Sequence, residues 1–135
     1  MKAIIVGCGR TDNYIAKQLA GEGHEICVID RNPLAFEKIG EYFPGYRIIG
    51  TGIDEDILVR AGIKNSDAVI SVARGDNTNA MVGQIAKCLY KIPNVIVRIS
   101  DPESRDFYEK QRGLKCYCPT LVSAESMVRI IKEGV

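Results

Sequence analysis

The sequence predicts an α/β domain: a doubly wound, parallel six-stranded sheet followed by a C-terminal crossover helix. Three observations carry that expectation. Six short apolar runs, mostly Ile and Val with little polar alternation, have the pattern of strands buried on both faces. The runs start roughly 20 to 27 residues apart, the length of a strand-plus-helix unit. The segments between them carry helical periodicity and helix stop signals. Right-handed crossovers then leave few topologies, and the expected strand order is 3-2-1-4-5-6. That order places a ligand crevice where it reverses, between the first and fourth strands.

The strands are expected at Ala3–Val6, Glu25–Ile29, Arg47–Ile49, Ala68–Val72, Val95–Ile99 and Lys115–Cys118. A first helix is expected from about Asn13 to Glu22, with Ile15, Leu19 and Ala20 on one side and Gly21 and Gly23 stopping it. Met81, Ile85, Cys88 and Leu89 form a stripe at helical spacing, and Pro93 follows. A further helix starts after Pro102 and ends before Gly113. The last begins after Pro119, where Ala124, Met127, Val128 and Ile131 make an apolar stripe behind Leu121 and Val122. Residues 1–119 are read as the sheet domain and 120–135 as a crossover and dimerisation helix. That stripe is expected to dock on a second copy of the chain in a twofold homodimer.

The chain has 135 residues, with 18 Lys and Arg, 17 Asp and Glu, and a formal net charge of +1. Such balance argues against a nucleic-acid binder. No apolar run is long enough to span a bilayer, and no secretory signal is present, so a cytoplasmic protein without membrane insertion is expected. The five cysteines form no Cys-x-x-Cys pair and read as thiols. Cys27 and Cys88 are expected in the core. Cys8 lies at a helix N-terminus, where a thiol can be activated.

Gly7-Cys8-Gly9-Arg10-Thr11-Asp12 follows the first strand and opens the first helix. That is the place of a Rossmann-like dinucleotide turn. Gly7 permits the turn, Gly9 lets a phosphate approach, and the helix start offers unpaired N–H groups. Asp30 ends the second strand, where its carboxylate can accept from ribose hydroxyls and disfavour a 2′-phosphate. Arg10 can reach a terminal phosphate. Asp12 stands where the third glycine would be. It is a good residue for a helix start, and an unfavourable anion beside a diphosphate.

Catalysis finds little support. None of the six tyrosines has a Lys four positions on, the single histidine (His24) sits in a turn, and no Gly-x-Ser-x-Gly elbow exists. No catalytic residue is assigned. No metal site is assigned either, with Glu125 the single weak candidate. The alternatives to a nucleotide sensor are a small NAD-dependent oxidoreductase and a Rossmann-like module that binds nothing and mediates protein contacts.

Taken together, several segments resemble a known family. Gly7-x-Gly9-Arg10, Gly23-His24-Glu25 and Val28-Ile29-Asp30-Arg31-Asn32 are similar to the N-terminal half of the regulator-of-potassium-conductance (RCK) fold, the KTN or TrkA-N domain. Gly50 through Asp54, Ala61-Gly62-Ile63, Asp76-Asn77-Thr78-Asn79, Val97-Arg98-Ile99 with Asp101-Pro102-Glu103, and Ser123-Ala124-Glu125 continue the likeness. The resemblance implies a cytosolic gating subunit of a potassium channel or uptake transporter, held at the membrane's inner face by a membrane-embedded partner. It implies an adenine nucleotide ligand (NAD, NADH, ATP, ADP or AMP), and a homodimer or ring whose geometry the ligand changes. Carried over by residue, Gly7, Cys8, Gly9, Arg10, Thr11 and Asp12 line the phosphates and Asp30 holds the ribose with Arg31 adjacent. Thr51, Gly52, Ala73 and Arg74 flank the adenine, and Arg98 lies near the site. The family's pattern usually has a bulky apolar residue at Thr11, a glycine at Asp12 and an acidic residue at Thr51.

Overall fold

The computed structural model describes residues 1–7 and 9–135. Its strands are β1 (Lys2–Val6), β2 (Glu25–Asp30), β3 (Tyr46–Ile49), β4 (Ala68–Ser71), β5 (Asn94–Arg98) and β6 (Lys115–Tyr117). They form one sheet in the order β3-β2-β1-β4-β5-β6. Every pairing is parallel. This is the expected order, and each strand lies within one residue of its expected ends. The helices are α1 (Arg10–Gly21), α2 (Glu55–Arg60), α3 (Asp76–Gln84), α4 (Pro102–Arg112) and α5 (Pro119–Glu133).

The strands are buried on both faces because their residues alternate between two cores. Ile4, Val6, Cys27 and Ile29 join Leu58 of α2 and Ala80 and Val82 of α3 on one side. Ala3, Ile5, Ile26 and Val28 join Ala16 of α1, Ile39 and Phe43 on the other. Each fully buried Ile or Val contributes roughly 1.5–3 kcal/mol. The α1-side layer stops short of the β5–β6 edge. There Ile96 is 39% exposed and Tyr117 47% exposed.

Two expectations need correction. First, α1 begins at Arg10, three residues before the expected Asn13, because Gly9 serves as its N-cap and the Asp12 side chain turns back onto the Gly9 N–H. Second, of the stripe Met81, Ile85, Cys88 and Leu89 only Ile85 packs against the core. Met81, Cys88 and Leu89 are exposed, and the buried residues are Asn79, Ala80, Val82, Gly83 and Ala86. The reason is close approach. A Cβ on Gly83 would lie 2.6 Å from Val97 Cγ1, so small residues must face the sheet and larger ones are turned outward. Past Gln84 the helix widens into a π-turn over Ile85–Leu89. Cys88 therefore is not the core residue the sequence suggested.

Candidate functional site

The carboxyl ends of β1, β2, β3, β4 and β5 open on one edge of the sheet. The crevice at the β1/β4 reversal lies there. Gly7 leaves β1 with φ +114, a conformation that favours glycine. Its N–H donates to Ile29 O at 2.7 Å, fixing the turn to the end of β2. Gly9 follows in extended conformation and caps α1. Arg10 and Thr11 are exposed at the helix mouth, whereas Asp12 is buried. Cys8 lies outside the described residues.

The opposite wall is the segment Val72–Gly75 after β4. One side chain that sequence reasoning did not single out organises it. Asn79, 1% exposed, accepts from Ser71 Oγ at 2.8 Å and from Ala73 N at 2.9 Å. Its amide group donates to Ala73 O and to Arg98 O, both at 2.9 Å. All four of its hydrogen-bonding positions are used. The Asp-Asn-Thr-Asn run marked a helix start, but only the fold shows that Asn79 ties β4, its exit loop and β5 together. Arg98 adds an Nη2 donation to Ala73 O at 3.2 Å. Asp76 holds the next loop by accepting from Ser100 N and Asp101 N.

The other expected residues arrive at the same edge. Asp30, half-buried at the end of β2, accepts from Asn32 N at 2.8 Å, and Arg31 beside it is exposed. Gly52 is buried because the loop after β3 passes over the end of β1. A Cβ there would lie 2.6 Å from Val6 Cγ1 and 3.0 Å from Val82 Cγ2. Thr51 is half-buried beside it, Ala73 is half-buried and Arg74 is exposed. Gly7, Gly9, Arg10, Thr11, Asp12, Asp30, Arg31, Thr51, Gly52, Ala73, Arg74 and Arg98 thus share one edge of the sheet.

Glu125 does not join them. It sits seven residues into α5, past the first turn, where there is no acidic residue. Among the described residues, no cluster of three His, Cys, Asp or Glu could hold a metal ion. Burial pushes the Cys27 and Cys116 thiols up to about 11, so neither has thiolate character at neutral pH.

Burial also raises the Asp12 carboxyl above the ordinary carboxylate range. The Gly9 N–H and the Arg98 charge oppose the rise, and Asp30 adds to it. A carboxyl raised on folding contributes its full stabilisation below its unfolded-state value and loses it as pH climbs through its folded-state value. Wild-type stability should therefore fall relative to Asp12→Asn as pH goes from about 4 to neutrality. Urea midpoints across that range measure the difference; a constant difference contradicts the assignment.

A parallel sheet with a glycine turn after β1, an acidic residue ending β2 and a crevice at the strand-order reversal defines a nucleotide-binding type of α/β domain. The chain belongs to the TrkA-N domain family, whose family model matches residues 3–115. It is 36% identical over 129 residues to the Trk system potassium uptake protein TrkA of Streptomyces coelicolor, covering 96% of this chain and 57% of that protein. The chain thus spans little more than half the length of that relative. Among solved structures, the TrkA-N domain of the inner membrane protein ybaL from Escherichia coli superposes with a TM-score of 0.84 at 17% identity, covering 96% of this chain and 95% of that one. The Shewanella denitrificans Kef C-terminal domain, in an AMP-bound form, gives 0.80 at 18% identity, covering 94% and 77%. These likenesses show the fold.

Proposed function

We propose that this domain is the nucleotide-sensing part of a regulator of potassium uptake, acting in the cytoplasm on a membrane-embedded partner. One observation carries the reading. In a TrkA-N chain, the glycine turn, Asp30, the Ala73 loop and Arg98 converge on one crevice. The relative in Streptomyces coelicolor is a potassium uptake protein, and the Kef domain is an AMP-bound structure. An adenine nucleotide fits the chemistry here. Asp30 accepts from the ribose hydroxyls, the turn and the α1 N-terminus face the phosphate, and Arg10 supplies an exposed cation. Thr51, Gly52, Ala73 and Arg74 bound the base. No helix of the described residues is long and apolar enough to cross a membrane.

Residues 120–135 would pair two copies, and nucleotide would act by favouring one arrangement of the pair through its differential affinity. The family supports a regulatory reading over a catalytic one. The test is calorimetric titration of AMP, ADP, ATP and NAD+ into wild type, Arg10→Ala and Asp30→Ala. At least one nucleotide should bind, and Asp30→Ala should weaken it about tenfold or more through the lost ribose hydrogen bonds. If none binds at millimolar concentration, the sensor reading fails and the protein-contact module replaces it.

A further inference from the structure

The turn that would receive a ligand's diphosphate already holds an anion. Asp12 Oδ2 accepts the Gly9 N–H at 2.7 Å, and the residue is 3% exposed. The same oxygen would lie 2.5 Å from a Cβ built on Gly7, with Ala73 N and Val72 O both 3.0 Å from that point. Beside Gly7 there is therefore no room between the turn and the β4 exit loop, and Asp12 forms one side of that contact. In the glycine-rich arrangement this position carries no side chain, and the turn's N–H groups are free for phosphate.

Charged groups reach Asp12 from two strands. Arg98 on β5 attracts it and Asp30 at the end of β2 repels it. The register puts Arg98 on the α1 side of the sheet, since it follows Ile96, which aligns with Ile70 and Ile5. The β4 exit loop presents backbone, and Arg10 and Arg74 are exposed.

We propose that Asp12 is the resident anion of this turn, a selectivity residue that excludes a dinucleotide diphosphate until its carboxyl is protonated. The proposal rests on the nucleotide-sensor reading and names which ligands the site refuses and what admits them. The ionised carboxylate occupies a donor the diphosphate needs and repels its charge. A neutral carboxyl removes the repulsion and leaves the adenosine contacts at Asp30 untouched.

The experiment titrates adenosine, AMP and NAD+ into wild type, Asp12→Asn and Asp12→Gly by calorimetry, with urea melts showing that each variant is folded. Both variants should bind NAD+ about tenfold more tightly than wild type, with adenosine unchanged. Wild-type affinity for NAD+ should rise as pH falls below neutrality, and that slope should vanish in Asp12→Asn. The diphosphate of NAD+ does not titrate in this window. Equal NAD+ affinity in wild type and Asp12→Asn, with a flat pH profile, overturns the proposal even where AMP binds wild type. If no probe binds any of the three proteins, the nucleotide reading itself has failed, and this proposal falls with it.

Discussion

Asn79→Leu should lower the unfolding free energy by roughly 3 kcal/mol or more, the largest loss expected from a single substitution at the crevice. Leucine is close to asparagine in size, so no cavity explains the effect. Instead the substitution strands Ser71 Oγ and the Ala73 N–H with no partner and takes a donor from Ala73 O and Arg98 O. Ala73 O retains Arg98, which moderates the cost at that atom. Asn79→Asp would fare no better, because a buried carboxylate cannot donate to the two carbonyls. The damage should also reach the ligand. Ala73 is a crevice wall, and its loop is held in place by Asn79. Urea unfolding of wild type and Asn79→Leu measures the stability. A loss under about 1 kcal/mol would mean that water or a shifted loop replaces the network.

Asn79 also shows where the sequence stops being legible. Strand order can be read because spacing and hydrophobicity are local signals, and crossover handedness removes most alternatives. The crevice can be read because Gly7, Gly9 and Asp30 lie near strand ends, where register alone brings them to one edge. A buried asparagine with four partners is different. Its partners come from Ser71, Ala73 and Arg98, and no periodicity shows that they meet. The stripe on α3 misleads for a related reason. Hydrophobic periodicity weighs Met81 and Leu89 above Ala80, Gly83 and Ala86. Close contact with β5 selects on volume and reverses the faces. Asp12 is intermediate. Its position invites the correct reading of a helix-start residue, but only the fold shows the carboxylate buried beneath the turn.

The pair Val128→Glu and Ile131→Glu, introduced together, should convert a dimer into a monomer while leaving the domain folded. The α5 helix has no buried residue at all. Met127 is 66% exposed, Val128 52% and Ile131 68%, and with Ala124 they make one continuous stripe. An apolar helix face in water is an unfavourable arrangement that a second copy relieves. The chain also carries a second uncovered apolar surface, the α1-side face of β5 and β6 at Ile96 and Tyr117. A twofold pair can cover such surfaces reciprocally, since each copy offers the same patches. Two glutamates at the centre of a buried stripe would have to be desolvated without partners. That costs several kcal/mol per interface and takes a micromolar dimer beyond the millimolar range. Both positions face solvent in the isolated chain, so the fold itself should be indifferent, with a urea midpoint within experimental scatter of wild type. Light scattering at tens of micromolar decides the matter. A wild-type chain that is already monomeric removes α5 as a pairing helix, and a variant that stays dimeric moves the interface elsewhere on the molecule.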